Sequence, residues 1–137
     1  MLTKEQIDTI IEEVRSEKNI QTILLTGSYV YGNPTDKSDL DIRCITNDGS
    51  DRAEFNRIRY NTVVQIFFNT PEKVKFYFKK CRETGNADCI HFWANGKLIY
   101  DINKVGLSLQ TEARALYKAG PNKGFWKKWK KAFGHLC

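Results

Sequence analysis

Long apolar runs are missing from this 137-residue sequence. No stretch approaches the roughly 18 consecutive apolar residues that a membrane-crossing helix requires. The opening Met1-Leu2-Thr3-Lys4-Glu5 is polar and carries no apolar signal region. Together these absences read as a cytoplasmic protein with no membrane span. Histidine is scarce, with two residues, and none of the four cysteines (Cys44, Cys81, Cys89, Cys137) forms a C-x-x-C pair. Zinc-site spacing is therefore absent, and the cysteines read as scattered reduced thiols, with Cys44 packing as a small hydrophobe. Acid is absent from residues 123–137, where Lys123, Lys127, Lys128, Lys130 and Lys131 cluster. The net charge of +6 favours anionic partners: nucleotides, RNA or an acidic protein.

What is present suits one compact domain. The chain is 41% apolar, enough for one core without disulfides or metals. Ile7, Ile10, Ile11 and Val14 make one stripe of a helix over 3–18, with Thr3 and Gln6 as a reciprocal N-terminal cap. Residues 20–26 read as a first strand, 28–37 as a helical turn and loop, and 39–46 as a half-buried strand. Residues 47–53 read as polar loop and 59–68 as a third strand. Thr70-Pro71-Glu72 starts a helix that runs to about Arg82 and breaks at Gly85-Asn86. Residues 88–101 suggest a hairpin turning at Asn95-Gly96. Residues 107–118 and 123–134 read as helices. The expected architecture is α+β: a small mixed β-sheet with helices packed on one face and the site on the other. The core would span about 1–101, and 102–137 would be C-terminal helices. The end at Gly134-His135-Leu136-Cys137 lacks a clear cap, which leaves open a longer protein.

Two short segments carry chemistry. Gly27 and Ser28 follow a strand and open a turn. Glycine there lets a phosphate approach the backbone, and the exposed N–H groups bind anions. Asp39 and Asp41 alternate on one strand face, so both carboxylates point the same way. Two adjacent carboxylates are tolerated when solvated or when a cation lies between them. Mg²⁺ commonly takes one or two carboxylates plus substrate phosphates.

The combined pattern, Leu25-Thr26-Gly27-Ser28-Tyr29-Val30-Tyr31-Gly32 followed by Ser38-Asp39-Leu40-Asp41-Ile42, resembles the G-S…D-x-D signature of the DNA polymerase beta-like nucleotidyltransferase superfamily. The small size is similar to the minimal nucleotidyltransferases, which include antitoxins paired with HEPN-type toxins and the catalytic domains of aminoglycoside and lincosamide nucleotidyltransferases. The resemblance implies that Gly27 and Ser28 hold the β- and γ-phosphates of ATP or another nucleoside triphosphate, with Ser38 a weaker contributor to nucleotide binding or a loop cap. It implies that Asp39 and Asp41 bind Mg²⁺. An acceptor hydroxyl would attack the α-phosphate, taking NMP and releasing pyrophosphate. The acceptor classes implied are a toxin protein, an RNA or tRNA end, or a small molecule such as an antibiotic. The family usually has a third carboxylate on the next strand, and here Gln65 stands in its place. A glutamine amide accepts no proton at neutral pH and binds Mg²⁺ more weakly than an anion. The alternative is thus a catalytically degenerate binding module, antitoxin-like or RNA-binding.

Other residues admit two readings. His91 suits a buried structural role or a substrate-orienting one. Lys73 and Lys75 suit solvated positions or phosphate contacts, and Tyr29 and Tyr31 suit packing or base stacking. Phe125, Trp126, Trp129 and Phe133 share one face of the last helix, which suits a closing helix, an RNA-facing helix or one lying on an anionic membrane.

Overall fold

A computed structural model describes residues 1–122, 124 and 126–133, the last four by their backbone alone. In chain order the elements are α1 (Lys4–Arg15), β1 (Ile20–Thr26), α2 (Ser28–Tyr31), β2 (Leu40–Thr46), β3 (Asp51–Arg59), β4 (Thr62–Asn69), α3 (Pro71–Thr84), α4 (Asp88–Asn95), β5 (Lys97–Asp101), α5 (Val105–Ala119) and α6 (Trp126–Phe133). The sheet order is β3-β4-β2-β1-β5. Only the central β2–β4 pair is parallel among these pairings; the other three are antiparallel. The mixed α+β sheet is the expected fold class.

Local chemistry sets the helix ends. The Thr3 hydroxyl accepts from Gln6 N at 3.1 Å while Thr3 N donates to Gln6 Oε1 at 2.9 Å, so the cap of α1 is reciprocal. The Thr70 hydroxyl accepts from Lys73 N at 3.2 Å, Pro71 occupies the first turn of α3, and Gly85 ends it in the left-handed region.

Strand alternation divides the core in two. Ile23, Leu25, Leu40, Ile42, Cys44, Val64, Ile66 and Phe68 share one sheet face with Ile10, Ile11 and Val14 of α1. Leu24 and Ile45 point the other way and meet Val74 and Phe78 of α3, Ile90 and Trp93 of α4, Leu109 of α5 and Trp129 of α6. Helices therefore cover both faces, where the sequence suggested one. A single amphipathic helix, α1, suffices to close the first of these faces.

Three further details differ from the sequence reading. Part of the expected polar loop and its continuation form β3, whose solvent-facing side chains hide it from periodicity. The expected third strand over 59–68 is the end of β3, a turn at Tyr60-Asn61 with positive φ at both residues, and β4. The 88–101 hairpin is absent: 88–95 is helical, and β5 pairs with β1. Gly96 is extended, and its missing side chain makes room for Phe92 O and Leu24, not for a tight turn. In α6, Trp129 is fully buried and its Nε1 donates to Tyr117 O, which fits the closing-helix reading, while Trp126 stays half-exposed. Phe125 and the Phe133 side chain lie outside the described residues. Among the described residues no helix is long and apolar enough to cross a membrane.

Candidate functional site

The site forms where β1 ends beside the start of β2. Gly27 has φ 82°, and a Cβ there would stand 2.6 Å from Asp41 Oδ2. Glycine is required twice over, by backbone conformation and by space. Residues fourteen positions apart become neighbours because β1 and β2 pair with Thr26 opposite Asp41. Ser28 opens the single turn of α2. The hydrogen bonds of that turn begin at Val30 N, so the Ser28 and Tyr29 N–H groups find no acceptor within it.

Asp39 sits just before β2 and Asp41 within it. The parallel β2–β4 register sets Asp41 opposite Gln65. The Gln65 amide Nε2 donates to Asp39 Oδ2 at 3.1 Å, so it holds one carboxylate in place without adding charge. Asp41 Oδ1 is buried and has no hydrogen-bond partner among the described residues. Burial pushes the Asp41 carboxyl above its ordinary pKa; the Arg43 guanidinium lowers it and the Asp39 charge raises it. A desolvated carboxylate oxygen beside a second carboxylate, in an all-oxygen set, fits a hard divalent cation. Among the described residues no cluster of three or more metal-binding side chains occurs, so two carboxylates need further oxygens from a bound ligand.

The structure sorts the remaining expectations. Ser38 Oγ accepts from Thr35 N at 2.8 Å, closing the turn that leads into Asp39. Lys73 pairs with Asp51 at 3.6 Å, and α3 begins past the end of β4 remote from Asp41, so neither Lys73 nor Lys75 belongs to this cluster. Tyr29 accepts from Leu2 N and packs on the α1 side. His91 is buried in α4, where the Asn95 amide lies 3.2 Å from its Nδ1 and its ring sits 5.5 Å from that of Tyr31. Its placement is structural. Cys44, Cys81 and Cys89 are free thiols, as expected, and the neighbouring Cys89 thiol holds Cys81 down to about 7. Cys44 is pushed up to about 12 by burial.

One residue was overlooked. Arg43 follows Asp41 on the same strand face, and its guanidinium lies 4.3 and 4.1 Å from the ring centroids of Phe67 and Phe92. Beside it, β3, β4, α3 and α4 line an open cavity of about 540 Å³. The only sequence signal was a cation alternating with carboxylates along an otherwise apolar strand.

The geometry can be set against known proteins. The chain resembles the crystal structure of a nucleotidyltransferase-like protein from Exiguobacterium sibiricum, with a TM-score of 0.59 and 17% identity, over 80% of this chain and 38% of that one. It thus spans about two-fifths of that protein's length. It also resembles a toxin-antitoxin crystal structure with AMP-PNP, with a TM-score of 0.52 and 14% identity, over 98% of this chain and 95% of that one. At these identities the likeness concerns the fold. No curated protein matches at a significant level. The model of the nucleotidyltransferase domain matches residues 7–108, most of the chain and every residue of the Gly27, Asp39, Asp41 and Gln65 cluster, and so the chain belongs to the nucleotidyltransferase domain family.

Proposed function

We propose that the protein transfers NMP, in the first instance AMP, from a magnesium nucleoside triphosphate to an acceptor hydroxyl, releasing pyrophosphate. The observation that carries this reading is the buried, unpartnered Asp41 Oδ1, beside Asp39 and against Gly27, whose missing side chain lets the carboxylate lie on the turn. Gly27 and Ser28 would receive the β- and γ-phosphates through backbone N–H groups and the serine hydroxyl. Ser38 would contribute by ordering the approach to Asp39. Asp39 and Asp41 would hold Mg²⁺, which, when bound, offsets the charge that develops on the reacting phosphate oxygens. The acceptor oxygen forms a bond to the α-phosphorus and gives its proton to solvent as the bond to the bridging oxygen breaks and pyrophosphate leaves. Gln65 keeps Asp39 oriented and takes no proton. The AMP-PNP in the similar toxin-antitoxin structure favours an adenine nucleotide. A cytoplasmic setting would supply it.

The test is label transfer. The full chain is incubated with Mg²⁺, α-labelled ATP and cell lysate, with Asp39→Ala and Asp41→Ala as controls. Label moving to a protein, an RNA or a small molecule only when both aspartates are intact supports transfer. No movement with any nucleoside triphosphate sinks it.

Gln65 supports a second reading. With an amide at the register position of Asp41, the chain would bind nucleotide and a partner, such as a toxin protein or RNA, without turnover. Gln65→Glu separates the two: a gain of transfer favours the degenerate module, and a loss favours an enzyme adapted to glutamine.

A further inference from the structure

Arg43 lies against two aromatic rings and makes no direct ion pair among the described residues. The rings of Phe67 and Phe92 lie against the guanidinium, while its N–H donors all lie within its own plane. Nε is shut off from water without a hydrogen-bond partner, and among the described residues no carboxylate lies within ion-pair distance of Arg43. A desolvated, unpaired cation is costly. Burial disfavours the Arg43 charge, and Asp41 and Asp88 offset this only in part and through space, without a direct ion pair. Asp51 is engaged by Tyr77 Oη at 3.0 Å, Asn69 Nδ2 at 2.8 Å and Lys73 at 3.6 Å. Asp88 lines the cavity but makes no ion pair with Arg43.

Arg43 also lines the cavity of about 540 Å³, whose wall includes Phe67, Phe92 and Trp93 and whose rim carries Lys80. That volume suits a small organic ligand, and the aromatic walls would take its flat body. Of the three lining cations Arg43 is the one without an ion pair among the described residues, since Arg52 pairs with Glu54 and Lys80 with Glu83. A guanidinium packed against two rings has already lost its rotamer freedom, so it binds an oxyanion with little further ordering.

We propose that this cavity binds a small organic anion, a flat apolar body ending in a carboxylate or phosphate, whose oxygens pair with the in-plane donors of Arg43. Arg43 stands two residues from Asp41 on one strand face, about 7 Å along the strand. On the transferase reading, on which this role rests, the anion is the acceptor and its hydroxyl reaches toward the nucleotide while its charged end is held by Arg43.

The binding itself is tested without nucleotide. Benzoate, phenyl phosphate and uncharged benzamide are titrated into the full chain while the Arg43 Nε–H resonance and tryptophan fluorescence are followed. The expected result is a saturable shift of Arg43 Nε–H with benzoate or phenyl phosphate and none with benzamide; whichever anion saturates first identifies the end group. Asp41→Asn should retain this binding, and Arg43→Met should weaken it at least about tenfold. An equal response to benzamide, or no saturable response to either anion, overturns the proposal, and both outcomes are read on the native chain should Arg43→Met not fold. Since Asp41→Asn abolishes transfer but spares anion binding, failure of the transferase reading and failure of this site give different patterns.

Discussion

The two faces of the sheet are built from the same strands and do different work. On the α1 face, Leu40, Ile42 and Cys44 of β2 are all buried among aliphatic side chains. On the other face the intervening residues are Asp41 and Arg43, a carboxylate and a guanidinium that both lack the partners burial demands. A strand with period-two alternation can therefore stabilise the fold with one set of side chains and present poorly satisfied charge with the other. The difference teaches that stability and chemistry here are separable at single-residue spacing.

The largest expected effect tests that separation directly. Asp41→Ala should abolish nucleotide-dependent label transfer while leaving the thermal midpoint unchanged or raised, because it removes a buried oxygen without a partner. Its neighbour Ile42→Ala should do the reverse. Ile42 is 0% exposed, and truncation should cost about 2–5 kcal/mol in urea unfolding. If both substitutions destabilise equally, the division between the faces is wrong.

Gly27→Ala lies between the two cases. It imposes positive φ on alanine and sets a methyl group against Asp41 Oδ2, so a loss of about 1–3 kcal/mol should accompany weakened nucleotide binding. Calorimetric titration with a nucleotide analogue and a melting curve would read both. A melt like that of the native chain would show that the turn relaxes and that Gly27 is not tied to Asp41.

Which parts could be seen in advance follows from where the physics is local. The caps at Thr3 and Thr70, the stripe of α1 and the two aspartates two residues apart are short-range patterns, and they stand in the structure where the sequence put them. β3 could not be seen, because its side chains are mostly exposed and it lies at the edge of the sheet. α4 was misread because Asn95-Gly96 has the composition of a hairpin turn, whereas Gly96 is small to clear Leu24 and Phe92. The packing of rings on Arg43 joins β2, β4 and α4, and no spacing within one element encodes it.

The smallest effect belongs to the rim of the α1 side. Glu13 is held below its ordinary 4.5 by hydrogen bonding to Arg59, with smaller help from the charges of Arg59 and Arg57. Its folded pKa is depressed, so its contribution is complete above about 4.5 and fades as the pH falls through the lower, folded value. Exposure keeps it under about 1 kcal/mol. Arg59→Ala should flatten the acid limb of stability against pH and leave label transfer at neutral pH untouched. A change in transfer would mean that the two faces communicate.

The parallel β2–β4 pairing has a consequence for how the chain acquires its site. Gly27 follows β1, Asp41 lies in β2 and Gln65 in β4, strands that meet in the middle of the sheet, with the whole of β3 intervening in the chain between β2 and β4. No hairpin or helix excised from the chain contains the cluster, so the binding surface comes into being only when the long-range pairings close. On the proposed function, nucleotide would bind the native ensemble and not the unfolded one. Its concentration becomes a thermodynamic handle on the entire sheet, and ligand at about 100 times its dissociation constant adds about 2.7 kcal/mol of apparent stability.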